Sequence, residues 1–179
     1  CVQLDGKIER ILIIGGVSDK LSLDSLRKSM VAIANLLVQM PIYEASFELE
    51  APKNKETTWD KLIQEISSAI SNSAYQYNKH KSEAAKKYSL QQIRFHGPEA
   101  KTGKINSAIR YANALESGLQ IAKDLGNEPP NICNPNYLLK ESRKLGKNSS
   151  VKISNINESK MKDLGMGAFL AVSKGSETP

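Results

Sequence analysis

GLQIAKDLGNEPPNICNPNYL, residues 118–138, contains signals for the end of one helix and the start of another. Gly126 offers the left-handed position that commonly closes a helix, and the Pro129–Pro130 pair lacks the backbone donors that a helix interior needs. Asn134 can cap a new helix, in which Pro135 occupies the first turn at the dihedral angle it prefers. The stretch therefore predicts two helices joined by a rigid, extended connector that sets their relative direction.

A long helix is predicted before this connector, and shorter elements are predicted after it. Residues 104–125 carry small and branched apolar side chains on one side, at the spacing of an amphipathic helix. The second helix is expected to end at Gly146, and Asn157 and Gly165 are start and stop signals for a further short helix. Short apolar runs predict strands at 150–156 and 168–173.

The first half of the chain alternates apolar runs with helical periodicity. Ile11 to Ile14 form a continuous apolar run, which indicates a strand buried on both faces. Ser22 is placed to cap the first helix, and the second helix is expected to begin near Thr57 or Thr58. This alternation predicts an α/β fold with a mixed sheet flanked by helices. The expected elements are a strand at 11–14, a helix at 23–40, a strand at 42–49, a helix at 58–77 and a strand at 88–95.

Glycine and proline residues in HGPEAKTGK, residues 96–104, interrupt this alternation and predict a domain boundary. The predicted organisation has three parts. Residues 1–97 form a partial N-terminal α/β domain, residues 98–125 form a linker and an interdomain helix, and residues 126–179 provide the first α/β elements of a second, truncated domain.

The composition is that of a globular protein, since 40% of the 179 residues are hydrophobic and 25% are charged. No run of about 18 apolar residues occurs, so we expect no membrane contact, and the first residues lack the pattern of a secretory signal. Cys1 and Cys133 lie far apart without CxxC spacing, which favours a reducing compartment. We interpret Cys133 as a small apolar side chain.

The excess of positive charge lies in one segment, residues 79–110. The formal net charge of the chain is +6, and this segment holds eight lysines and arginines against two glutamates. Such a segment can contact DNA, or it can be a solvated helix end with its linker, and the residues leave both interpretations open. Its basic residues are Lys79, Lys81, Lys86, Lys87, Arg94, Lys101, Lys104 and Arg110.

No motif in the sequence identifies an active site. Gly15–Gly16 follow a predicted strand, but their spacing matches neither GxGxxG nor a P-loop. His80 and His96 are the only histidines, they belong to no HExxH motif, and we interpret His80 as a surface cation. Asp163 precedes a glycine-rich turn and stands alone as an acid. We therefore predict no catalytic, cofactor-binding or metal-binding residue in this chain.

Two segments in a fixed order resemble the leucyl aminopeptidase family, also called cytosol aminopeptidases. The first is AKDLGNEPPNICNPNYL, and the second is MKDLGMGAFLAVSKGSETP. ERILIIGG and SAYQYNKHKS are similar to the N-terminal domain of that family, so the resemblance extends over nearly the whole chain. The matching residues are Asp124, Leu125, Asn127, Pro129, Pro135, Met161, Leu164, Gly165, Met166, Gly167, Ala168, Gly175 and Ser176.

This resemblance implies an enzyme that releases N-terminal amino acids, leucine preferred, from peptides by metal-assisted hydrolysis. For the intact protein it also implies two divalent cations, zinc or manganese, a homo-hexamer and a cytoplasmic location. Some bacterial members of the family bind DNA, which is compatible with the basic segment 79–110.

The motifs that carry the family's metal ligands and its catalytic lysine and arginine do not occur in this sequence. These motifs are Val-Gly-Lys-Gly-x-x-Phe-Asp-Ser-Gly-Gly and Asn-Thr-Asp-Ala-Glu-Gly-Arg. We therefore expect an internal piece that contains most of the N-terminal domain, the interdomain helix and the start of the catalytic domain. No catalytic or metal residue is carried over from the family, and the chain alone is expected to bind no divalent cation and to be inactive.

Overall fold

The structure is a computed structural model that describes residues 2–3, 10–11, 22–49, 58–83, 87–98, 101–147 and 150–176. The chain forms two compact units, Cys1–Gly118 and Leu119–Pro179. The elements are β1 (Val2–Gln3), β2 (Arg10–Ile11), α1 (Leu23–Gln39), β3 (Glu44–Glu48), α2 (Trp59–Ala74), β4 (Gln92–His96), α3 (Thr102–Asn127), α4 (Pro135–Lys147), α5 (Glu158–Asp163) and α6 (Gly167–Ser173). Within these ranges, no helix combines the length and the hydropathy that crossing a bilayer requires.

Local side chains define the first turns of α1 and α2. The Ser22 hydroxyl accepts a hydrogen bond from the Ser25 amide at 3.2 Å, and the Thr58 hydroxyl accepts one from the Lys61 amide at 3.5 Å. Both contacts satisfy amide groups that the helix itself leaves unpaired. The predicted Ser22 cap is therefore confirmed, and α2 begins after Thr58, within the expected start near Thr57 or Thr58. Helix α2 ends at Ala74, earlier than expected, because the next residue, Tyr75, has an extended backbone.

Strands β3 and β4 are paired in parallel, with Glu44 opposite Gln92 and Glu48 opposite His96. Alternate side chains point to opposite faces of a strand. On one face, the rings of Phe47 and Phe95 stack with their centroids 5.8 Å apart. This parallel pair, together with the helices that pack on it, confirms the α/β expectation in its coarse form. Strands β1 and β2 form a separate antiparallel pair.

The main core lies between α1, α2 and one face of the β3–β4 pair. It contains the buried residues Leu26, Met30, Ile33, Ala34, Leu37, Val38, Leu62, Ile66, Ala69 and Ile70. The inner face of the sheet packs against them through partly buried side chains, including those of Ala45, Phe47, Ile93 and Phe95. Apolar burial on this scale is the main favourable contribution to the stability of a small domain.

A second buried cluster connects the first part of α3 to α2. It consists of Trp59, Ile63, Ile105, Ala108 and Ala112, and the Ile63 side chain has no exposed surface. The backbone at residue 97 passes close to this cluster, because a Cβ atom added to Gly97 would lie 2.8 Å from the Ile105 Cδ1 atom. A side chain at residue 97 would therefore require the Ile105 side chain to move.

Several expected boundaries differ from the structure. The predicted strand at Ile11–Ile14 and the Gly15–Gly16 turn lie mostly outside the described residues, with only Ile11 in β2.

Gly126 does not close a helix, since α3 continues through Asn127, and Gly165 is the only described glycine with a positive φ. Helix α4 extends one residue past Gly146. The predicted domain boundaries at 97/98 and 125/126 stay predictions.

The two strands expected in the unit Leu119–Pro179 do not form. Residues 168–173 belong to α6, in which the Lys174 amide donates to the Leu170 carbonyl at 3.1 Å, so the predicted strand is wrong. The predicted strand at 150–156 is also wrong, because residues 150–157 form neither helix nor strand. A strand needs a neighbouring strand for its backbone groups, whereas a helix pairs them internally. Short apolar runs do not distinguish the two cases.

The fully buried position of Ile63 leads to a stability prediction. We expect Ile63→Ala to lower the free energy of unfolding by roughly 2–5 kcal/mol, because it removes buried methyl groups and leaves a cavity. The matched control is Leu36→Ala, at a helix position that is 55% exposed, for which we expect a change within about 0.5 kcal/mol. Urea denaturation of the purified chain measures both values. Equal effects at the two positions would contradict the assignment of the core.

Candidate functional site

Several backbone hydrogen bonds fold the connector between α3 and α4. The Pro129 carbonyl accepts hydrogen bonds from the Ile132 and Cys133 amides, both at 2.9 Å, and the Asn134 amide donates to the Ile132 carbonyl at 2.9 Å. The connector is therefore a tight turn, and the expectation of an extended connector is wrong. Proline has no donor, but its carbonyl oxygen remains a full acceptor, and here that acceptor closes the turn.

Asn134 ends this turn and starts α4 as predicted. Its Oδ1 atom accepts a hydrogen bond from the Tyr137 amide at 3.0 Å, and Pro135 is the first residue of the helix. The Leu138 amide donates to the Asn134 carbonyl at 3.1 Å, which begins the regular helical pattern. A few residues of sequence were sufficient to predict this cap because all of its atoms belong to one turn.

Glu128 is a buried carboxylate within the connector, with only 8% of its surface exposed. The Tyr137 hydroxyl donates to its Oε1 atom at 3.2 Å, and the Glu128 amide donates to the Asp124 carbonyl at 3.1 Å. Burial of a carboxylate is unfavourable unless hydrogen bonds compensate for the removal of water. The contact between Glu128 and Tyr137 therefore joins the end of α3 to the first turn of α4.

Sequence reasoning missed Glu128 and Tyr137 as a pair. An acid beside two prolines gives no periodic signal, and only the folded turn brings its oxygen to the tyrosine hydroxyl. The folded connector thus contains a polar side-chain contact, whereas the sequence predicted only a rigid, extended connector.

The glycine-rich turn after Asp163 closes α5. Gly165 has a φ of 70°, and the Met166 amide donates to the Met161 carbonyl at 2.9 Å. This six-residue hydrogen bond is the pattern of a Schellman helix end. The Asn157 side chain caps the other end by accepting from the Lys160 amide at 3.0 Å. The predicted start and stop signals of this helix are confirmed, and helix closure accounts for the glycine at residue 165.

The described residues do not provide a metal centre. No group of three or more histidine, cysteine, aspartate and glutamate side chains is close enough to hold a metal ion in the part of the chain that the structure describes. His80 and His96 are both exposed and lie on different elements. Cys133 is a free, half-buried thiol. This donor set does not fit a pair of bridging divalent cations, so no reaction step is assigned to such ions here.

The basic segment 79–110 is spread over a turn, strand β4 and helix α3. All of its described lysines and arginines are exposed, while Lys86 lies outside the described residues. The Lys79 Nζ atom lies 5.8 Å from the centroid of the Tyr77 ring, and Arg94 pairs with Glu44 at 2.8 Å. The segment is therefore an exposed cationic region whose members have different local partners.

The Glu128–Tyr137 contact leads to a second prediction. Tyr137→Phe removes one donor from a buried carboxylate while keeping the ring, and we expect it to lower the free energy of unfolding by about 1–3 kcal/mol. Tyr111→Phe is the matched control, since Tyr111 is 60% exposed, and it should change stability by less than about 0.5 kcal/mol. Urea denaturation of both variants measures the difference. Equal stability of the two variants would mean that the contact contributes nothing.

Comparisons with known proteins agree on one family. Residues 120–179 match the model of the cytosol aminopeptidase family, catalytic domain. The chain is 34% identical over 177 residues to a probable cytosol aminopeptidase of Pseudomonas syringae pv. syringae. It is 36% identical over 178 residues to a probable cytosol aminopeptidase of Nitrosococcus oceani. Each match covers 97% of this chain and 35% of the relative.

A solved structure gives the same result for the fold. A mutant of tomato leucine aminopeptidase superposes with a TM-score of 0.70 at 26% sequence identity, over 90% of this chain and 32% of that one. The chain thus spans about a third of the length of the curated relatives it matches, since it covers 35% of them. Because the sequence motifs, the family model and the fold agree, the chain belongs to the cytosol aminopeptidase family.

Proposed function

We propose that this chain is the structural part of a metal-dependent aminopeptidase that releases N-terminal amino acids, leucine preferred, from peptides. The observation that supports the proposal is the match of residues 120–179 to the catalytic-domain model of cytosol aminopeptidases. The described residues of this same segment hold no metal-binding cluster. In this proposal the chain supplies framework, and the reacting groups belong to polypeptide other than these 179 residues.

Exposed apolar side chains in the second unit support a framework role. No hydrophobic side chain is buried in the described part of Leu119–Pro179. Large ones are widely exposed there, with 55% of Leu164, 66% of Phe169 and 85% of Val172 accessible. Scattered exposed apolar residues are ordinary, but a unit without any buried ones lacks the main source of folding stability. We infer that further polypeptide of the catalytic domain covers these side chains in the intact enzyme.

The polar connector fits the same role. It fixes the turn between α3 and α4 through the Glu128–Tyr137 contact and the Asn134 cap. A tight, hydrogen-bonded turn holds the two helix ends in one geometry, and accurate placement of catalytic groups depends on rigid supporting elements. We propose that these residues position elements of the catalytic domain and do not touch the substrate.

For the intact enzyme, we also propose two divalent cations, zinc or manganese. We further propose that the intact enzyme is a homo-hexamer and that it is cytoplasmic. When bound, such ions lower the pKa of a shared water and polarise the peptide carbonyl. The side chains described here do not form a site for them. We therefore propose that the described residues contribute neither a ligand nor a general base.

The framework role gives a direct activity prediction. The purified 179-residue chain, incubated with zinc or manganese and leucine 4-nitroanilide, should release no 4-nitroaniline above the buffer blank. The intact Pseudomonas syringae relative serves as the positive control. Metal-dependent turnover that co-elutes with the chain in gel filtration would overturn the proposal.

A chimera tests whether this chain can serve as the framework of an active aminopeptidase. In it, this chain replaces the matching third of the Pseudomonas syringae relative, which is the 35% that it covers. We expect leucine 4-nitroanilide hydrolysis that disappears on chelation and returns with added metal. A chimera that unfolds cooperatively and binds metal as the parent does, yet shows no turnover, would contradict the framework role.

Contact with DNA through the basic segment 79–110 is a second candidate function. The exposure of all its described lysines and arginines supports it. Lys101 lies immediately before α3, and Lys104 and Arg110 lie within that helix. A nucleic acid backbone attracts such cations over a long range, whichever base sequence it carries.

Three substitutions test this candidate. Replacing Lys101, Lys104 and Arg110 with glutamine should reduce the salt dependence of DNA binding, because the slope of log affinity against log salt decreases by about 0.9 for each phosphate that the protein no longer neutralises. Lys28→Gln is the control, because Lys28 already pairs with Asp24 at 2.8 Å. Mobility shifts of a 30-base-pair duplex, run at about 50 and 200 mM salt, give the slope. Absence of any shift at the lower salt would remove the candidate.

A further inference from the structure

Helix α3 has one side that the described chain leaves open. Its first turns pack into the buried cluster around Ile63. On the open side, Tyr111 is 60% exposed and Ile121 is 38% exposed. A Cβ atom added to Gly118 would have no atom of the described chain within 4 Å, apart from those of adjacent helix residues. A neighbouring helix could therefore approach α3 closely at this glycine.

Uncharged residues follow one line along this open side. Each residue turns a helix by about 100°, so all of them fall within roughly 60° of Gly118 around the axis. The charged residues of the stretch 111–125 lie outside this arc, and no member of the line is buried. We call the line the α3 seam, and it consists of Tyr111, Ala114, Leu115, Gly118, Ile121, Ala122 and Leu125.

The α3 seam has the same pattern of size on both sides of Gly118. The positions three residues away are Leu115 and Ile121, and the positions four residues away are both alanine. The positions seven residues away are Tyr111 and Leu125. If two copies of α3 cross antiparallel at Gly118, the branched side chains of each copy lie beside the alanines of the other. Alternation of large and small side chains allows two helices to interdigitate.

Charges at one edge of the seam are complementary in the same arrangement. Arg110 and Asp124 lie within about 40° of each other around the helix, at opposite ends of the seam. Like edges meet in an antiparallel pair, which places Arg110 of each copy about 3 Å along the axis from Asp124 of the other. In a parallel pair this axial separation is about 21 Å. Arg110 is exposed and donates to the Ser107 hydroxyl at 3.0 Å, and a guanidinium has further donors for a carboxylate.

We propose that the α3 seam joins two copies of this chain, which pair antiparallel about a two-fold axis at Gly118. A two-fold contact requires a surface that fits itself, and the pattern of size and charge about Gly118 meets this requirement. A different segment that covered α3 would need no such symmetry. Four helical turns form a small interface beside the ~1,600 Å² of a standard one, so we expect a reversible dimer. The proposal does not rest on peptidase activity, and its tests measure association alone.

Sedimentation velocity of the full chain tests the association. Between roughly 5 and 200 μM we expect the mean mass to rise from monomer toward dimer, as is usual for a small interface. Gly118→Leu should weaken the dimer at least about tenfold, because it inserts a bulky side chain at the crossing. Leucine also favours a helix over glycine, so the fold should be retained.

The matched control is Gly103→Leu, at a second glycine of α3 with open space above it and outside the seam. A smaller effect of this variant than of Gly118→Leu supports the proposal. A chain that stays monomeric at every concentration, or an equal effect of the two variants, overturns it. Circular dichroism verifies that both variants keep their helices.

A charge exchange tests the antiparallel edge contact. Arg110→Asp and Asp124→Arg should each weaken the dimer, because each places two like charges side by side. The chain that carries both substitutions restores opposite charges across the interface, and we expect it to recover most of the lost affinity. A double variant that associates no better than the two single variants would contradict the proposed pairing.

Cysteine cross-linking determines the direction of the pair. In a background of Cys1→Ser and Cys133→Ser, a Tyr111→Cys chain is mixed with a Leu125→Cys chain and oxidised. We expect a covalent dimer only in the mixture, because antiparallel pairing brings these two positions together and separates like positions by about 21 Å. If either variant cross-links to itself as readily as the mixture does, the proposed pairing is wrong.

Discussion

The contact between Ile63 and the first turns of α3 holds the described part of the N-terminal unit together. Ile63 is fully buried among Trp59, Ile105, Ala108 and Ala112. The two alanines allow α3 to approach α2 closely, and Gly97 leaves room for Ile105 at the point where the chain enters the helix. Dense packing of this kind transmits any change of volume to its neighbours. The position of the first turns of α3 therefore depends on this cluster.

Polar contacts organise the described part of the second unit. Helices α4 and α5 begin at the Asn134 and Asn157 caps, the connector is closed by the Pro129 carbonyl, and Glu128 receives the Tyr137 hydroxyl. Each such hydrogen bond contributes only about 1 kcal/mol net. They specify local geometry but cannot replace apolar burial as the source of stability. This is the physical argument behind the proposed framework role of the described residues.

The match of this protein to a family does not by itself locate the groups that react. A relative from the cytosol aminopeptidase family matches 97% of the chain, yet the described histidines, acids and cysteine form no cluster that could hold a metal. Two-metal hydrolysis requires several donors within a few ångströms of each other. The match therefore supports the family without assigning a reacting group to the described residues.

Local chemistry was sufficient to predict the helix starts. Ser22, Asn134 and Asn157 were predictable as caps because each acts on an amide within three residues of itself. Contacts between distant residues were not predictable, and they include the Glu128–Tyr137 pair and the parallel register of β3 and β4.

Only the folded chain decided whether apolar runs became strands or helices. Residues 42–49 and 88–95 contain strands because β3 and β4 supply each other's hydrogen-bond partners, whereas residues 168–173 pair their backbone groups internally as α6. The physical reason is that a strand depends on a partner far away in sequence, while a cap depends on its neighbours. The sequence therefore indicated where these elements begin, and the tertiary structure determined whether several of them are strands or helices.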